Sequence, residues 1–220
     1  MKNKKKNFKK GYFKELNKEK INAGIGILAI LVLFILVSYI VQSNLEYFNN
    51  MFGKSFLWMI LYVLIVIISI VLAPVSSVPL LPIASLTWGW FIAGVLSIIG
   101  WVIGAVFAFI LSRKYGVPLV SRFIPFKKIN EFERKFPKEN LFWSIVFLRM
   151  AMPVDVLSYI LGLFTCIKFR TYFFATIIGV TPFGFVLAYL GTLSLYYQLI
   201  FFIVSMTILL MGYYIKNKGK

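Results

Sequence analysis

Arg149 and Asp155 stand six residues apart amid Phe, Leu, Met and Val, with Pro153 between them. A guanidinium presents a planar fork of donors that can hold a phosphate or carboxylate through two parallel bonds, and it keeps its charge at any physiological pH. A carboxylate beside it can hold that fork in place or carry a proton. On an unbroken helix a six-residue spacing would set the two on different faces. Pro153 removes one helical hydrogen bond and clashes with the preceding turn, so the helix breaks there and the charges can converge. In an apolar setting each costs at least ~2.5 kcal/mol unless paired or hydrated, which makes both candidates for function. The structural alternative is that Arg149 closes the break by bonding exposed carbonyls or Asp155 itself.

Little other chemistry is available. The chain has no histidine, which excludes Ser-His-Asp triads, Cys-His pairs and histidine-bound zinc. Cys166 is the only cysteine and its apolar neighbours favour an inert thiol. The glycines lie inside uncharged stretches, not in a phosphate loop after a strand. No metal, no cofactor and no enzymatic reaction are expected. The formal net charge of +17 sits between apolar spans without interleaved exposed aromatics, so anionic lipid headgroups, not nucleic acid, are the expected partner.

The elements that must position the arginine follow from the solvent. Of 220 residues 60% are hydrophobic and 14% charged, and Ile21 to Leu45, Ser55 to Ser112 and Thr171 to Ile215 carry no charge at all. That solvent is lipid. Residues 1–20, with nine lysines against Glu15 and Glu19, read as a basic cytoplasmic tail, followed by a single membrane domain over 21–215 and a second basic tail over 216–220. Ile21 to Val41 reads as an uncleaved anchor helix, and Gln42 to Lys54 as a loop on the non-cytoplasmic side. Pro74, Pro79 and Pro82 interrupt the next run, so Phe56 to Thr87 is expected to enter the membrane, break and return to the same side, before a full span from Trp88 to Ser112. Arg113, Lys114 and the basic residues beyond mark a cytoplasmic segment. Within it Val117 to Glu139 reads as an amphipathic helix in the headgroup plane, with a solvated linker as the alternative. Leu141 to Thr165 is too short to cross twice and reads as a second re-entrant hairpin. Arg170 to Leu190 and Leu195 to Ile215 complete the domain as spans, leaving both termini cytoplasmic.

The expected fold is an all-α polytopic membrane protein of about four transmembrane helices and two re-entrant hairpins, arranged as an inverted repeat. Broken helices expose backbone polar groups that hydrocarbon cannot satisfy, so two such hairpins must be buried in protein or line a wet cavity. Gly100, Gly104 and Ala108, spaced by four, would let the helix after the first hairpin approach a neighbour closely. Arg113, Lys168 and Arg170 are expected at headgroup level as snorkelling anchors.

Phe-Leu-Arg149-Met-Ala-Met-Pro153-Val-Asp155-Val-Leu-Ser-Tyr159-Ile-Leu-Gly162, followed by Ile-Lys-Phe-Arg170 and Gly179-Val-Thr-Pro182, resembles the signature of the DedA superfamily, also called the SNARE-associated Golgi protein or VTT domain family. The stretch from Pro74 to Gly116 is similar to that family's first half, so the resemblance covers roughly residues 56–192. It implies a multi-pass cell-membrane protein that moves phospholipid or polyprenyl phosphate between leaflets, as a scramblase or flippase. The lipid would be met by Arg149, Asp155, Pro153, Tyr159 and Gly162 of the second loop and Pro79 and Pro82 of the first. The first loop lacks the acidic residues usual in bacterial DedA transporters, and Asp155 stands where they usually carry a further arginine. The chain therefore looks nearer the branch shared with eukaryotic Golgi members, and passive scrambling fits it. A non-transporting scaffold and a small-solute or ion transporter are the competing expectations, and a homo-oligomer is compatible with all three.

Overall fold

The computed structural model describes residues 24–26, 28–53, 55–72, 76–120, 140–151, 154–163 and 167–218, and every regular element among them is helical. In chain order these are α1 (Gly24–Ser43), α2 (Leu45–Phe52), α3 (Phe56–Leu72), a 3-10 turn (Val78–Leu80), α4 (Leu81–Trp88), α5 (Trp90–Val120), α6 (Leu141–Ala151), α7 (Val154–Leu163), α8 (Phe169–Thr192) and α9 (Leu195–Lys218). Among the described residues three helices are long and apolar enough to cross a bilayer, namely α1, α5 over Trp90–Pro118, and α8; counting the bent pair α2 and α3 as one span makes four. α9 is uncharged from Leu195 to Ile215.

Three local departures from the sequence reading have plain causes. The expected loop from Gln42 to Lys54 contains α2, bent 99° from α3. Its apolar Leu45, Phe48 and Phe52 recur at helical spacing, and Phe52 rests edge-on against Trp58, with ring centroids 4.9 Å apart. Trp88, read as the start of the span, is instead the last residue of α4. Gly89 separates the two helices at φ 85, a left-handed conformation that a side chain would resist. At its far end α5 runs beyond Ser112 until Gly116, at φ 66 and two residues before Pro118, interrupts it. Apart from Val117 to Val120, the expected in-plane segment to Glu139 lies outside the described residues.

Small residues decide how the helices meet. Tyr62 and Ser97 share a hydroxyl bond of 2.7 Å, Gly100 faces Val66 and Gly104 faces Ile70, so α3 and α5 run parallel. Since Trp88 Nε1 donates to the Gly53 carbonyl at 2.8 Å, α4 returns to the level at which α3 began. α5 and α8 are antiparallel: Gly94 meets Phe185 at one end, while Arg113 Nη2 donates to the Ile167 carbonyl at the other.

The same contact recurs in the second half of the chain. A Cβ on Gly100 would meet the side chain of Val66 and the carbonyl of Val63; one on Gly179 would meet the side chain of Arg149 and the carbonyl of Val146. Thus α6 sits on α8 as α3 sits on α5. The short helices are exchanged between the halves, α7 against α5 through Gly162 and α4 against α8 through Gly191. One buried cluster gathers α5, α6, α7 and the start of α8 around Phe109, Ile145, Leu157 and Tyr172. The other gathers α1, α3, α4 and the remainder of α5 and α8 around Phe34, Val66, Leu81 and Trp101.

Candidate functional site

Arg149 lies in the last turn of α6 and is 3% exposed. It is held by hydroxyls from two neighbouring helices. Nη1 donates to Ser158 Oγ of α7 at 3.0 Å, while Nη2 donates to Tyr172 OH at 2.6 Å and to Thr176 Oγ1 at 3.3 Å, both on α8. Tyr172 passes the connection on, its hydroxyl donating to the Ala105 carbonyl of α5 at 2.8 Å. Four helices therefore converge on one guanidinium. Tyr172 and Thr176 can act together because a four-residue spacing stacks them on one face of α8.

An aromatic column links this buried cation to the helix end. The Arg113 guanidinium lies 4.5 Å from the Phe109 ring centroid, Phe109 stacks on Tyr172 at 4.0 Å, and the Arg149 guanidinium lies 5.3 Å from the Tyr172 ring. Two cations thus flank two stacked rings, each drawn to the negative face of its neighbour. Ala105, beneath Tyr172, is eight residues along α5 from Arg113, or about 12 Å at 1.5 Å per residue.

Tyr159 joins the two halves of the fold. Its hydroxyl donates to the Val71 carbonyl near the end of α3, and its own carbonyl accepts from Ser112 Oγ of α5. One turn further, Gly162 lets α7 rest directly on the Phe109 carbonyl and on Ser112. Arg149, Tyr159 and Gly162 are therefore brought together around α5. Pro79 and Pro82 are not part of this group: Pro79 lies in the 3-10 turn and Pro82 in the first turn of α4, where it packs on Gly191. Both prolines occupy positions where a missing N–H costs little. Arg113, Lys168 and Arg170 are exposed at one end of the α5 and α8 pair. Pro153 and the side chain of Asp155 lie outside the described residues.

Ser158, Thr176, Tyr172 and Phe109 are the residues the sequence reading missed. Ser158 stands inside the quoted motif, and the pairing of Tyr172 with Thr176 is a four-residue hydroxyl repeat in an uncharged helix, so a signal existed for both. Among the described residues no group of three or more His, Cys, Asp or Glu side chains could hold a metal ion.

No curated protein and no solved structure matches the chain. The family model of the VTT domain matches residues 74–193, from just before the 3-10 turn to the end of α8. That region covers more than half the sequence and contains Arg149 with Ser158, Tyr172 and Thr176, so the chain belongs to the VTT domain family, that of the DedA and SNARE-associated Golgi proteins.

Proposed function

We propose that this chain moves a phosphate-bearing lipid, phospholipid or polyprenyl phosphate, between the leaflets of the cell membrane, with Arg149 as the group that meets the phosphate. The observation that carries this reading is a guanidinium buried where four helices meet and held by three hydroxyls. Such a cation is costly in hydrocarbon, and hydroxyl partners can exchange one acceptor for another at small cost. A phosphate oxygen can therefore take the place of Ser158, Tyr172 or Thr176 and, being charged, accept a stronger bond from the guanidinium.

In this reading α3 with α4, and α6 with α7, are hairpins that dip into the bilayer from opposite faces. Their lengths support it: the 17 residues of α3 reach about 25 Å and the 11 of α6 about 16 Å, both short of a hydrocarbon core of ~30 Å. The column from Arg113 through Phe109 and Tyr172 to Arg149 gives a headgroup two successive cations between the helix end and the interior. Arg113, Lys168 and Arg170 face the cytoplasmic leaflet, as the positive-inside rule prefers, and both termini are on that side. No covalent bond is made or broken. Asp155 positions the arginine or itself takes up a proton during transport.

Purified full-length protein in vesicles containing fluorescent phospholipid tests the reading. Quenching by a membrane-impermeant reductant is expected to pass from about half of the label to nearly all of it, since lipid in both leaflets becomes accessible. Folded protein that leaves the inner-leaflet label protected overturns the proposal. Uptake of a small solute without lipid exchange would assign the site to solute transport instead.

A further inference from the structure

We infer that α2 is an in-plane anchor seated in the lipid interface of the leaflet opposite Arg113, Lys168 and Arg170. This inference is independent of whether the protein moves lipid. The helix carries two kinds of surface. Tyr47, Met51 and Leu45 are exposed and apolar, Tyr47 by 64% and Met51 by 48%, while Glu46, Asn49 and Asn50 form a separate polar arc. Phe48 and Phe52, between the exposed apolar residues on the wheel, turn inward: Phe48 stacks on Phe52, and Phe52 meets Trp58 of α3.

Three observations identify the occupant of the outer apolar edge as lipid. The 99° bend sets α2 nearly perpendicular to α3, and α3 runs parallel to the spanning helix α5, so α2 lies along the membrane plane. The bend is fixed, since Gly53 adopts φ 49 and its carbonyl is bonded by the Trp88 indole. The same end of the molecule carries exposed Trp90, Tyr189, Tyr196 and Tyr197, with Trp90 and Tyr189 edge-to-face at 6.0 Å. Indole and phenol rings collect at headgroup depth because one end is apolar and the other polar. A protein partner is disfavoured by size. Three exposed apolar side chains fall well below the ~800 Å² per partner of a stable interface. With one acid and no base, α2 does not call for anionic lipid, in contrast to the basic end.

Spin labelling tests the placement in the full-length chain. On a Cys166→Ser background, Met51→Cys places a label on the apolar edge and Asn50→Cys places one on the polar arc. Both proteins are reconstituted in phosphatidylcholine vesicles, and collision with oxygen is compared with collision with a water-soluble nickel chelate. The expected result is several-fold less nickel collision at position 51 than at position 50, with oxygen collision at position 51 retained. Equal nickel collision at both positions would place α2 in bulk water, and exclusion of both relaxants at position 51 would place a protein surface over it. Either result overturns the inference. Tyr47→Cys repeats the measurement on the same edge if Met51→Cys disturbs the fold.

Discussion

Arg149→Lys is the substitution that separates recognition of phosphate from the mere presence of a buried positive charge. Lysine keeps the charge and the first carbons of the stem, the part of Arg149 that rests on Gly179. Its ammonium can still reach one strong acceptor, such as Tyr172 OH, but it has no planar fork with which to hold two phosphate oxygens at once. A hydrogen bond to a charged group contributes about 1.5–3 kcal/mol, and losing one of two such bonds at the highest point of lipid passage slows it by that amount. At 1.4 kcal/mol per factor of ten, exchange should slow about 10- to 150-fold. Arg149→Met, without the charge, should abolish exchange.

The assay is the same quenching of fluorescent phospholipid, with rates normalised to protein per vesicle and folding checked by size exclusion and circular dichroism. A folded Arg149→Lys protein exchanging lipid at the rate of the parent would refute phosphate recognition by the fork. Should the lysine variant fail to fold, Tyr172→Phe poses the question more gently. It removes the 2.6 Å acceptor from Nη2 and the donor to Ala105 while keeping the ring stacked on Phe109. A slower rate is expected, with the protein intact.

Other predictions concern the contacts that hold the site. Gly100→Ala puts a methyl 2.7 Å from Val66 Cγ1 and should destabilise by about 1–3 kcal/mol in thermal unfolding; Val66→Ala in the same chain should recover part of the loss. Gly162→Ala should destabilise without rescue by Ser112→Ala, because the atom met at 2.5 Å is the Phe109 backbone carbonyl, which a side-chain deletion cannot remove. Gln198→Leu should loosen α9, since the amide nitrogen joins Ser38 of α1 at 2.7 Å and the Leu193 carbonyl at 2.9 Å; a loss of about 0.6–2 kcal/mol is expected, read as a lowered unfolding temperature in detergent. Lipid exchange should proceed without an imposed pH gradient and keep its rate when a protonophore is added; dependence on the gradient would show that Asp155 or another acid carries protons.

Much of this architecture was legible because lipid imposes strict rules on a sequence. Long charge-free runs marked α1, α5 and α8, and the prolines at 79 and 82 marked the broken return between α3 and α5. The buried arginine was legible too, since a cation amid Phe, Leu and Met must either find partners or carry a purpose. What stayed hidden depends on tertiary contact. The partners of Arg149 are hydroxyls, and serine, threonine and tyrosine are common enough in membrane helices that none stands out until α7 and α8 are placed beside α6. Phe109 was likewise one of 23 phenylalanines until its ring was seen between Tyr172 and Arg113. α2 escaped because two asparagines and a glutamate resemble a loop, while its periodic apolar edge becomes meaningful only against Trp58.

The repeated glycine contact explains why a single arginine can dominate this molecule. In the first half, Gly100 lies against the residue three beyond a helical carbonyl, and that residue is Val66; in the second half Gly179 meets the equivalent position, and it is Arg149. One arrangement of helices thus carries an aliphatic side chain in one copy and a cation in the other. Where valine stands, Tyr62 and Ser97 close on each other at 2.7 Å, satisfying the local polar groups with neutral partners. Where arginine stands, Ser158, Tyr172 and Thr176 surround it, each able to accept a bond from the guanidinium or to exchange that bond for another. If the two halves were interchangeable supports, a cation at position 66 would serve as well as one at 149. It would not, because the hydroxyl cradle of Arg149 comes from α7 and α8, whereas the hydroxyl of Tyr62, one turn from Val66, is already bonded to Ser97. Moving the charge, by Val66→Arg with Arg149→Val, should therefore destroy the fold's stability or its activity, whereas retention of both would show that the cradle is dispensable.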